Sequence, residues 1–246
     1  MEHKRIDVLL TEKGLAKSRT AAAALIKEGS VTVNGAAVRK PSEQCPETAE
    51  ITVSGDSALT KYVGRGGLKL ETAIEAFVIS PRGCVCLDIG ASTGGFTDCM
   101  LQNGALRVYA VDVGTGQLDS SLLADSRVIS LENTDIRSAD SSLIPEKVTF
   151  VSCDVSFISL KAVLPEIKRF TAENAVLAAL IKPQFELGRA KLGKSGVVRD
   201  PKLHEKAVRD ITEFAGALGF TDIRTIPSKI TGGDGNREFL MHCIIP

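Results

Sequence analysis

Val85-Cys-Leu-Asp88-Ile-Gly90-Ala-Ser-Thr-Gly94-Gly95-Phe96 is an apolar run that ends in an acid and is followed at once by glycines. Glycines directly after a buried strand let the backbone turn sharply and approach a ligand that a Cβ atom would exclude. The acid precedes the glycines and their spacing is not G-x-G-x-x-G, so the pattern suits a nucleotide-type cofactor that carries an ammonium group. S-adenosylmethionine is such a cofactor, and a dinucleotide-dependent oxidoreductase is disfavoured.

Six more strand-like runs surround this one, which spans Val85–Ile89, with helical or loop segments between them. They are predicted at Arg107–Val113, Val128–Leu131, Val148–Cys153, Ala175–Ile181, Asp222–Ile226 and Glu238–Ile245. Seven strands with crossover helices indicate a doubly wound α/β domain with a mostly parallel sheet. Ligands bind such sheets at the carboxyl ends of the strands, where the glycines lie.

Acids recur at the ends of the first three strands of this domain. Asp112 comes 24 residues after Asp88 and is predicted to accept both ribose hydroxyls of the cofactor, while Asp135 is predicted to meet its adenine amino group. The alternative is a set of ordinary strand-end turns with N-capping aspartates. The predicted cofactor-binding residues are Asp88, Gly90, Ala91, Ser92, Gly94, Gly95, Phe96, Asp112 and Asp135.

A lysine that ends an apolar strand is costly to bury without acidic partners, and Lys182 stands in that position. Asp154 after the fourth strand and Glu238 at the start of the last strand are candidate partners. Lys69 lies on a predicted helix that leads into the first strand and can reach the same edge. Each residue alone could be a surface side chain that extends its charge into water. Together, Lys69, Asp154, Lys182 and Glu238 indicate a catalytic site.

The chemistry that these groups suit is methyl transfer to a weakly acidic hydroxyl. The methyl group on a sulfonium is already activated, so the protein must align an oxygen behind it and assist loss of the hydroxyl proton. Lys182 is predicted to accept that proton or to stabilise the alkoxide. Lys69 is the predicted second cation, and Asp154 and Glu238 hold the two lysines in place. No metal site is predicted.

The first 60 residues have a different pattern. They predict two short helices, the second between an N-cap at Ser18 and a stop at Gly29, and then a hairpin with an Asn34-Gly35 turn. Residues 1–40 carry eight Lys and Arg against four acids, although the whole chain has 30 of each charge. The prediction is a small domain at 1–60 with one basic face, a linker at 61–66 and the α/β domain at 67–246.

A glycine-rich basic segment lies between the fifth strand and the next predicted helix. It runs from Gly188 to Arg199 and has no acid until Asp200. Such a loop could close over substrate phosphates as a mobile flap. The alternative is a solvated connection.

Several of these motifs resemble a known family. Lys4-Arg5-Ile-Asp7-Val-Leu, Lys17-Ser-Arg19 and Val31-Thr-Val-Asn34-Gly35 resemble an S4 RNA-binding domain. Arg65-Gly-Gly-Leu-Lys69, the Asp88 to Phe96 segment and Ile181-Lys-Pro-Gln-Phe-Glu186 resemble the FtsJ-type methyltransferase half of the TlyA/hemolysin A family. The resemblance covers essentially the whole chain.

The resemblance implies a small α+β S4 domain followed by a Rossmann-like class I methyltransferase. It implies 2′-O-methylation of cytidine ribose in ribosomal RNA of both subunits, with S-adenosylmethionine as cofactor and Lys69, Asp154, Lys182 and Glu238 as a Lys-Asp-Lys-Glu tetrad. The predicted RNA-contacting residues are Lys4, Arg5, Lys17, Arg19, Lys40, Arg65, Arg189, Lys191 and Lys194.

Composition bears on the competing classes of function. Zero net charge excludes a polycation that holds nucleic acid by bulk charge, and the absence of Trp, with 9 Phe and 2 Tyr, makes extended base stacking a weak candidate. The longest apolar run, Ala175–Ile181, is far shorter than the roughly 20 residues that cross a bilayer, which disfavours a membrane-lysing hemolysin. A non-catalytic RNA-binding or assembly factor remains an alternative. A cytoplasmic protein, with a monomer favoured and no membrane partner, is predicted.

Overall fold

The computed structural model describes residues 3–16, 18–53, 61–188, 196–232 and 235–246. The chain divides into two compact units, Met1–Lys61 and Tyr62–Pro246. This division differs from the predicted linker at 61–66, because residues from Tyr62 onward pack into the second unit. Tyr62 is buried, and its ring lies so close to Gly67 that a Cβ there would be 2.4 Å from it.

In its described residues, the first unit contains two helices and two small antiparallel sheets. Its elements are β1 (His3–Arg5), α1 (Ile6–Glu12), α2 (Arg19–Glu28), β2 (Val31–Val33), β3 (Ala36–Ala37), β4 (Gln44–Pro46) and β5 (Ile51–Val53). One sheet pairs β1 with β4, and the other has the order β3-β2-β5. Ser18 caps α2 by accepting a hydrogen bond from the Ala21 amide, and Gly29 ends it with a φ of 82°. The two predicted helices and the hairpin are therefore confirmed.

The second unit is built on one seven-stranded sheet with the order β11-β12-β10-β9-β6-β7-β8, in which β12 runs antiparallel to both neighbours. Its strands are β6 (Val85–Ile89), β7 (Arg107–Val111), β8 (Val128–Leu131), β9 (Val148–Cys153), β10 (Thr171–Ile181), β11 (Thr221–Pro227) and β12 (Phe239–Ile245). Its helices are α3 (Gly66–Phe77), α4 (Gly95–Gln102), α5 (Ser120–Leu123), α6 (Leu164–Ile167), α7 (Pro183–Glu186) and α8 (Pro201–Ala217). The predicted doubly wound, mostly parallel α/β fold is confirmed.

Four strands differ from their predicted bounds: β11 is longer by one residue at each end, β12 begins one residue later, at Phe239, and β7 and β10 differ by more. β7 ends at Val111, because the side chain of Asp112 accepts a hydrogen bond from the Gly114 amide and turns the chain out of the sheet. β10 begins at Thr171, and its register against β9 shifts between Thr171 and Val176. The irregular pairing hides these first residues from a search for regular periodicity.

Successive residues of the central strands point into two apolar layers. Leu87 packs in the layer with α6 and α8, and Cys86 packs in the layer with α3 and α4. This alternation buries both faces of the sheet and leaves the loops at the strand ends to form a site. Within the described ranges, no helix has both the length and the apolar character to span a bilayer.

Candidate active site

The loops at the carboxyl ends of β6, β7, β8 and β9 enclose a cavity of about 550 Å³. Of the predicted cofactor-binding residues, Gly90, Ser92, Asp112 and Asp135 line it, and Asp154 of the predicted tetrad lines it as well. This volume is in the range of pockets that hold cofactor-sized ligands. The four strand ends therefore meet at one place, as the predicted topology requires.

Gly90 is needed for a close approach between two strand-end loops. Its φ is +83°, and a Cβ built there would lie 2.5 Å from the carbonyl oxygen of Asp154. The amide of Asp154 also donates to the carbonyl of Ile89 at 2.9 Å. A side chain at Gly90 would therefore push the loop that carries Asp154 away from the cavity.

Asp112 ties the loop after β6 to the loop after β7. Its Oδ2 accepts a hydrogen bond from the Ser92 amide at 2.8 Å, and its Oδ1 accepts one from the Gly114 amide at 2.7 Å. Each carboxylate oxygen can accept a second hydrogen bond. Asp112 can therefore hold the two loops and still accept hydroxyl donors from a ligand in the cavity.

Asp135 faces the cavity while it is held by a neighbouring arginine. Arg137 donates from Nε and from Nη2, with 2.6 Å between Nη2 and Oδ2 of Asp135. The guanidinium holds the pKa of this carboxyl below its usual value. Contact between Asp135 and an adenine amino group stays a prediction, and it would use the lone pairs that Arg137 leaves.

Asp88 does not occupy the position predicted for it. It is fully buried and does not line the cavity. Its two oxygens accept hydrogen bonds from Thr97 Oγ1 at 2.7 Å and from Ser152 Oγ at 2.8 Å. Burial raises the pKa of this carboxyl to about 6. Asp88 thus joins β6 to α4 and β9 beneath the loop, and its contact with a cofactor stays a prediction.

Ala91, Gly94, Gly95 and Phe96 also lie away from the cavity lining. Gly94 has a φ of +94°, and a Cβ there would lie 2.1 Å from the Leu122 side chain. A Cβ on Gly95 would lie 2.9 Å from a backbone nitrogen at the start of α3. Phe96 and Ala91 are buried in the layer beneath α3 and α4. In this structure these residues pack helices together, and their direct contact with a cofactor stays a prediction.

Lys182 and Asp154 form the first ion pair of the predicted tetrad. Nζ of Lys182 lies 2.6 Å from Oδ1 of Asp154 and donates a hydrogen bond to Ser156 Oγ at 2.8 Å. Oδ1 of Asp154 is buried and accepts no hydrogen bond of good geometry from a described residue, so charge attraction holds this pair. The side chains of Lys182 and Asp154 are 10% and 19% exposed, and Asp154 lines the cavity beside the buried amine.

Lys69 and Glu238 form the second pair. Nζ of Lys69 donates to Oε2 of Glu238 at 2.6 Å, and both residues are buried. Gly232 forms a wall behind the carboxylate, because a Cβ there would lie 2.6 Å from Oε1 of Glu238. The pair links α3, which precedes the first strand of the sheet, to the start of β12.

Strand register brings the two pairs to the same edge of the sheet. Ile181 is paired with Phe239, so Lys182 and Glu238 leave adjacent strands at the same level. Cys153 is paired with Ala179, and Asp154 follows it on the next strand. In the described residues, no three His, Cys, Asp or Glu side chains are grouped to hold a metal ion. Two amines and two carboxylates thus carry the charge of this site.

The predicted RNA-contacting residues have different environments. Lys4 lies 3.1 Å from Glu12 and 2.6 Å from Glu47, so its charge is neutralised within the first unit. Arg5 and Arg19 both pair with Asp7, and Lys40 and Arg65 are exposed. The remaining predicted residues, Lys17, Arg189, Lys191 and Lys194, lie outside the described residues, as does most of the predicted basic flap.

Sequence reasoning missed three side chains of the cavity region. Glu132 accepts hydrogen bonds from the amides of Gly116, Gln117 and Leu118 at 2.7, 2.8 and 3.1 Å, and these bonds hold the pKa of its carboxyl below the usual value. Gln117 lines the cavity on the loop that Glu132 holds. Phe157 is 92% exposed, has a φ of 65° and also lines the cavity. The one signal in the sequence for these side chains was that Phe157, an aromatic residue, lies three positions after Asp154, an acid that follows a strand.

Comparisons with known proteins agree with this geometry. Residues 62–243 match the FtsJ-like methyltransferase family, and residues 4–51 match the S4 domain. The 16S/23S rRNA (cytidine-2′-O)-methyltransferase TlyA of Mycobacterium tuberculosis is 42% identical to this chain over 237 residues, which are 96% of this chain and 88% of that protein. A solved structure from Streptococcus thermophilus, described provisionally as a hemolysin, is 43% identical, with a TM-score of 0.77 over 99% of this chain and 89% of that one.

A more distant structure shows the fold alone. The N-methyltransferase NodS of Bradyrhizobium japonicum, solved with S-adenosylhomocysteine, is 13% identical and has a TM-score of 0.51 over 74% of this chain and 86% of that one. The match of residues 62–243 covers most of the chain, and the relative from Mycobacterium tuberculosis is similar over 96% of the chain. The chain therefore belongs to the FtsJ-like methyltransferase family, with an S4 domain ahead of its methyltransferase unit.

Proposed function

We propose that this protein transfers a methyl group from S-adenosylmethionine to the ribose 2′-hydroxyl of cytidines in ribosomal RNA of the small and large subunits. One observation carries the proposal: Asp154 lines the cavity and also lies 2.6 Å from the amine of Lys182. A proton-accepting group thus stands at the edge of a cofactor-sized cavity. The 2′-O-methyltransferase from Mycobacterium tuberculosis, similar over 96% of this chain, supports the nucleotide and the RNA class.

The residues of the cavity fit the proposed cofactor. Gly90 keeps the loop after β6 close to Asp154, and the Asp112 carboxylate faces the cavity with acceptor capacity for hydroxyl donors. When bound there, S-adenosylmethionine supplies a methyl group that its positively charged sulfur has already activated. Asp112 would hold the ribose of the cofactor, and Gly90 would allow the close approach of the backbone.

Lys182 is the group that handles the hydroxyl proton in this proposal. The 2′-oxygen forms a bond to the methyl carbon as the carbon–sulfur bond breaks, and the hydroxyl proton passes to Nζ of Lys182 in its amine form. Asp154 and Ser156 keep Nζ in position and stabilise the ammonium that results. Lys69, held by Glu238, adds a second positive charge that stabilises negative charge developing on the oxygen.

Phe157 and Phe185 suit the base of the target nucleotide. Their ring centroids are 5.1 Å apart, and Phe157 exposes its face where it borders the cavity. A nucleotide must leave its stack to bring its sugar hydroxyl into such a cavity, and an aromatic face compensates part of the stacking that it loses.

The protein is proposed to act in the cytoplasm, as a monomer.

The test uses Lys182→Ala in the full chain, with labelled methyl transfer to 16S and 23S rRNA and mapping of the 2′-O-methylated positions. Lys206→Ala is the matched control, because Lys206 forms a 2.7 Å ion pair with Asp210 on α8. We expect Lys182→Ala to lose about 10²- to 10⁴-fold in kcat and Lys206→Ala to keep parental activity.

Calorimetric titration with S-adenosylmethionine separates a catalytic defect from a binding defect. Lys182→Ala should keep the cofactor affinity of the parent. Near-parental methyl transfer by Lys182→Ala would refute its proposed role. A parent chain that binds RNA and transfers no methyl group would favour the non-catalytic assembly factor.

A further inference from the structure

Asp7 sits between two arginines on the first unit. Its carboxylate accepts hydrogen bonds from Nε and Nη2 of Arg5 at 2.9 and 3.0 Å, and from Nη2 and Nε of Arg19 at 2.9 and 3.3 Å. Asp7 is 4% exposed, while the arginine side chains are 41% and 59% exposed. We call Arg5, Asp7 and Arg19 the arginine clamp.

The clamp fixes both guanidinium groups and leaves part of each one free. A guanidinium has five N–H donors, and two donors of each arginine bind Asp7. The other three donors of each arginine make no hydrogen bond to a described residue. The hydrogen bonds from Arg5 and then from Arg19 lower the pKa of Asp7 to about 2, so the carboxylate stays charged at any ordinary pH.

The backbone around the clamp is part of two helices, and it brings a third cation, Lys40, close to the clamp. Arg5 immediately precedes α1, and Arg19 is the first residue of α2. The amide of Asp7 donates to the Pro41 carbonyl at 3.2 Å, which brings the segment after the exposed Lys40 beside the clamp. Three cations thus project from a fixed part of the unit that matches the S4 domain.

We infer that Asp7 is a positioning residue for RNA binding: it orients Arg5 and Arg19 so that their free N–H donors grip neighbouring phosphates of the RNA backbone. The inference rests on the proposed function. An arginine binds phosphate by a planar fork, and a side chain that is ordered in advance loses less conformational freedom on binding. Asp7 orders the two arginines in this way, but its carboxylate also places one negative charge on the proposed RNA-binding face.

This negative charge makes the sign of the effect diagnostic. If only net charge mattered, removal of the Asp7 carboxylate would strengthen RNA binding, because the local positive charge would rise. If orientation matters more, removal would weaken it. Glu47→Gln provides the matched control, since Glu47 lies 2.6 Å from Lys4 on the same unit and its loss changes the net charge equally.

The experiment measures kcat and KM for 16S and 23S rRNA transcripts with the full-length Asp7→Asn and Glu47→Gln variants. We expect Asp7→Asn to raise the KM for RNA about five- to tenfold with kcat unchanged, because two mobile arginines must be ordered on binding. Glu47→Gln should leave KM unchanged or lower it. A second variant, Arg19→Lys, keeps the charge at an exposed position and should raise KM with no change in melting temperature.

Three results would overturn the inference, and they are distinguishable. If the parent transfers methyl groups and Asp7→Asn lowers KM as Glu47→Gln does, the positioning role is wrong while the proposed function stands. If the parent transfers no methyl group to either RNA, the proposed function fails and the inference fails with it. A raised KM for Asp7→Asn together with a parental KM for Arg19→Lys would also refute the fork geometry.

Discussion

Asp88 is an acidic residue at a fully buried position in β6, a central strand of the sheet. Its hydrogen bonds to Thr97 and Ser152 replace only part of the water that a carboxylate loses on burial, and its pKa rises to about 6 as a result. An unfolded aspartate has a pKa near 3.8. The folded state therefore binds more protons than the unfolded state between these values, and its stability falls as the pH rises through that window.

This gives a prediction for Asp88→Asn. Below pH 4 the parent residue is protonated in both states, and above pH 6 the folded parent carries the buried charge while the variant does not. The free energy of unfolding of the variant minus that of the parent should therefore increase by up to about 3 kcal/mol between pH 4 and pH 7. Denaturant unfolding at several pH values measures it.

Asp210→Asn is the control for this prediction. Lys206 holds the pKa of Asp210 below its usual value, so Asp210 stays ionised across the same window. The difference between parent and control should not change from pH 4 to pH 7. A pH-independent difference for Asp88→Asn would contradict the raised pKa.

The same residue shows where sequence reasoning stops at this scale. An acid before a glycine turn indicates the ligand end of a strand, and this held for Asp112, which lines the cavity. The direction of the side chain depends on strand parity, and Asp88 lies two residues after Cys86, on the same buried face. The ion pairs were easier to predict, because a lysine next to an apolar run needs a carboxylate partner, and Lys182 and Lys69 both have one.

At the scale of elements, the packing of α3 on α4 controls the position of Lys69. Gly95, the first residue of α4, meets the backbone of Gly67 and Gly64, and a Cβ there would lie 2.9 and 3.0 Å from their nitrogen and oxygen. Backbone atoms cannot move aside as a flexible side chain can. A larger residue must therefore push α3 away from α4 and carry Lys69 with it.

We predict that Gly95→Ala costs about 1–3 kcal/mol of unfolding free energy and lowers kcat by about tenfold or more, because the Lys69 amine is displaced. Thermal unfolding and methyl-transfer assays on the same preparation measure both effects. Gly216→Ala in α8 is the control: its Cβ would meet only the Ile223 side chain, at 3.8 Å. This variant should gain about 0.5–1 kcal/mol and keep parental kcat. Equal behaviour of the two variants would contradict the packing argument.

Regular elements were predictable from periodicity and caps, and irregular ones were not. Strands β6, β8 and β9 have the predicted bounds, because each is a continuous run of mostly apolar residues. Strands β1, β4 and β5 have three residues each, which is too short for a periodic signal. The loop that Glu132 holds also escaped prediction, since the hydrogen bonds that its carboxylate accepts from three backbone amides leave no pattern along the chain.

At the scale of the whole molecule, net charge says little about RNA binding, because the chain carries 30 positive and 30 negative side chains. What matters is which cations are already neutralised. Lys4 contacts Glu12 and Glu47, and its pKa is raised by the hydrogen bond to Glu47. Lys40 is exposed, and no contact with a described residue engages its amine.

We therefore predict different salt dependences for two alanine variants in the first unit. Lys40→Ala should reduce the slope of log affinity for rRNA against log salt by about 1, because one phosphate contact is lost. Lys4→Ala should leave the slope nearly unchanged. Filter binding between low and physiological salt measures both, and a larger change for Lys4→Ala would show that its carboxylate partners release it to the RNA.

The pair between Lys69 and Glu238 joins residues that are 169 positions apart. Proteins emerge from the ribosome amino end first, at about 5–20 residues per second, so Lys69 waits roughly ten to thirty seconds of translation before its partner exists. No nascent fragment that stops short of Glu238 can assemble both halves of the tetrad. A message that terminates before the codon for Glu238 therefore yields a chain in which Lys69 lacks this carboxylate partner.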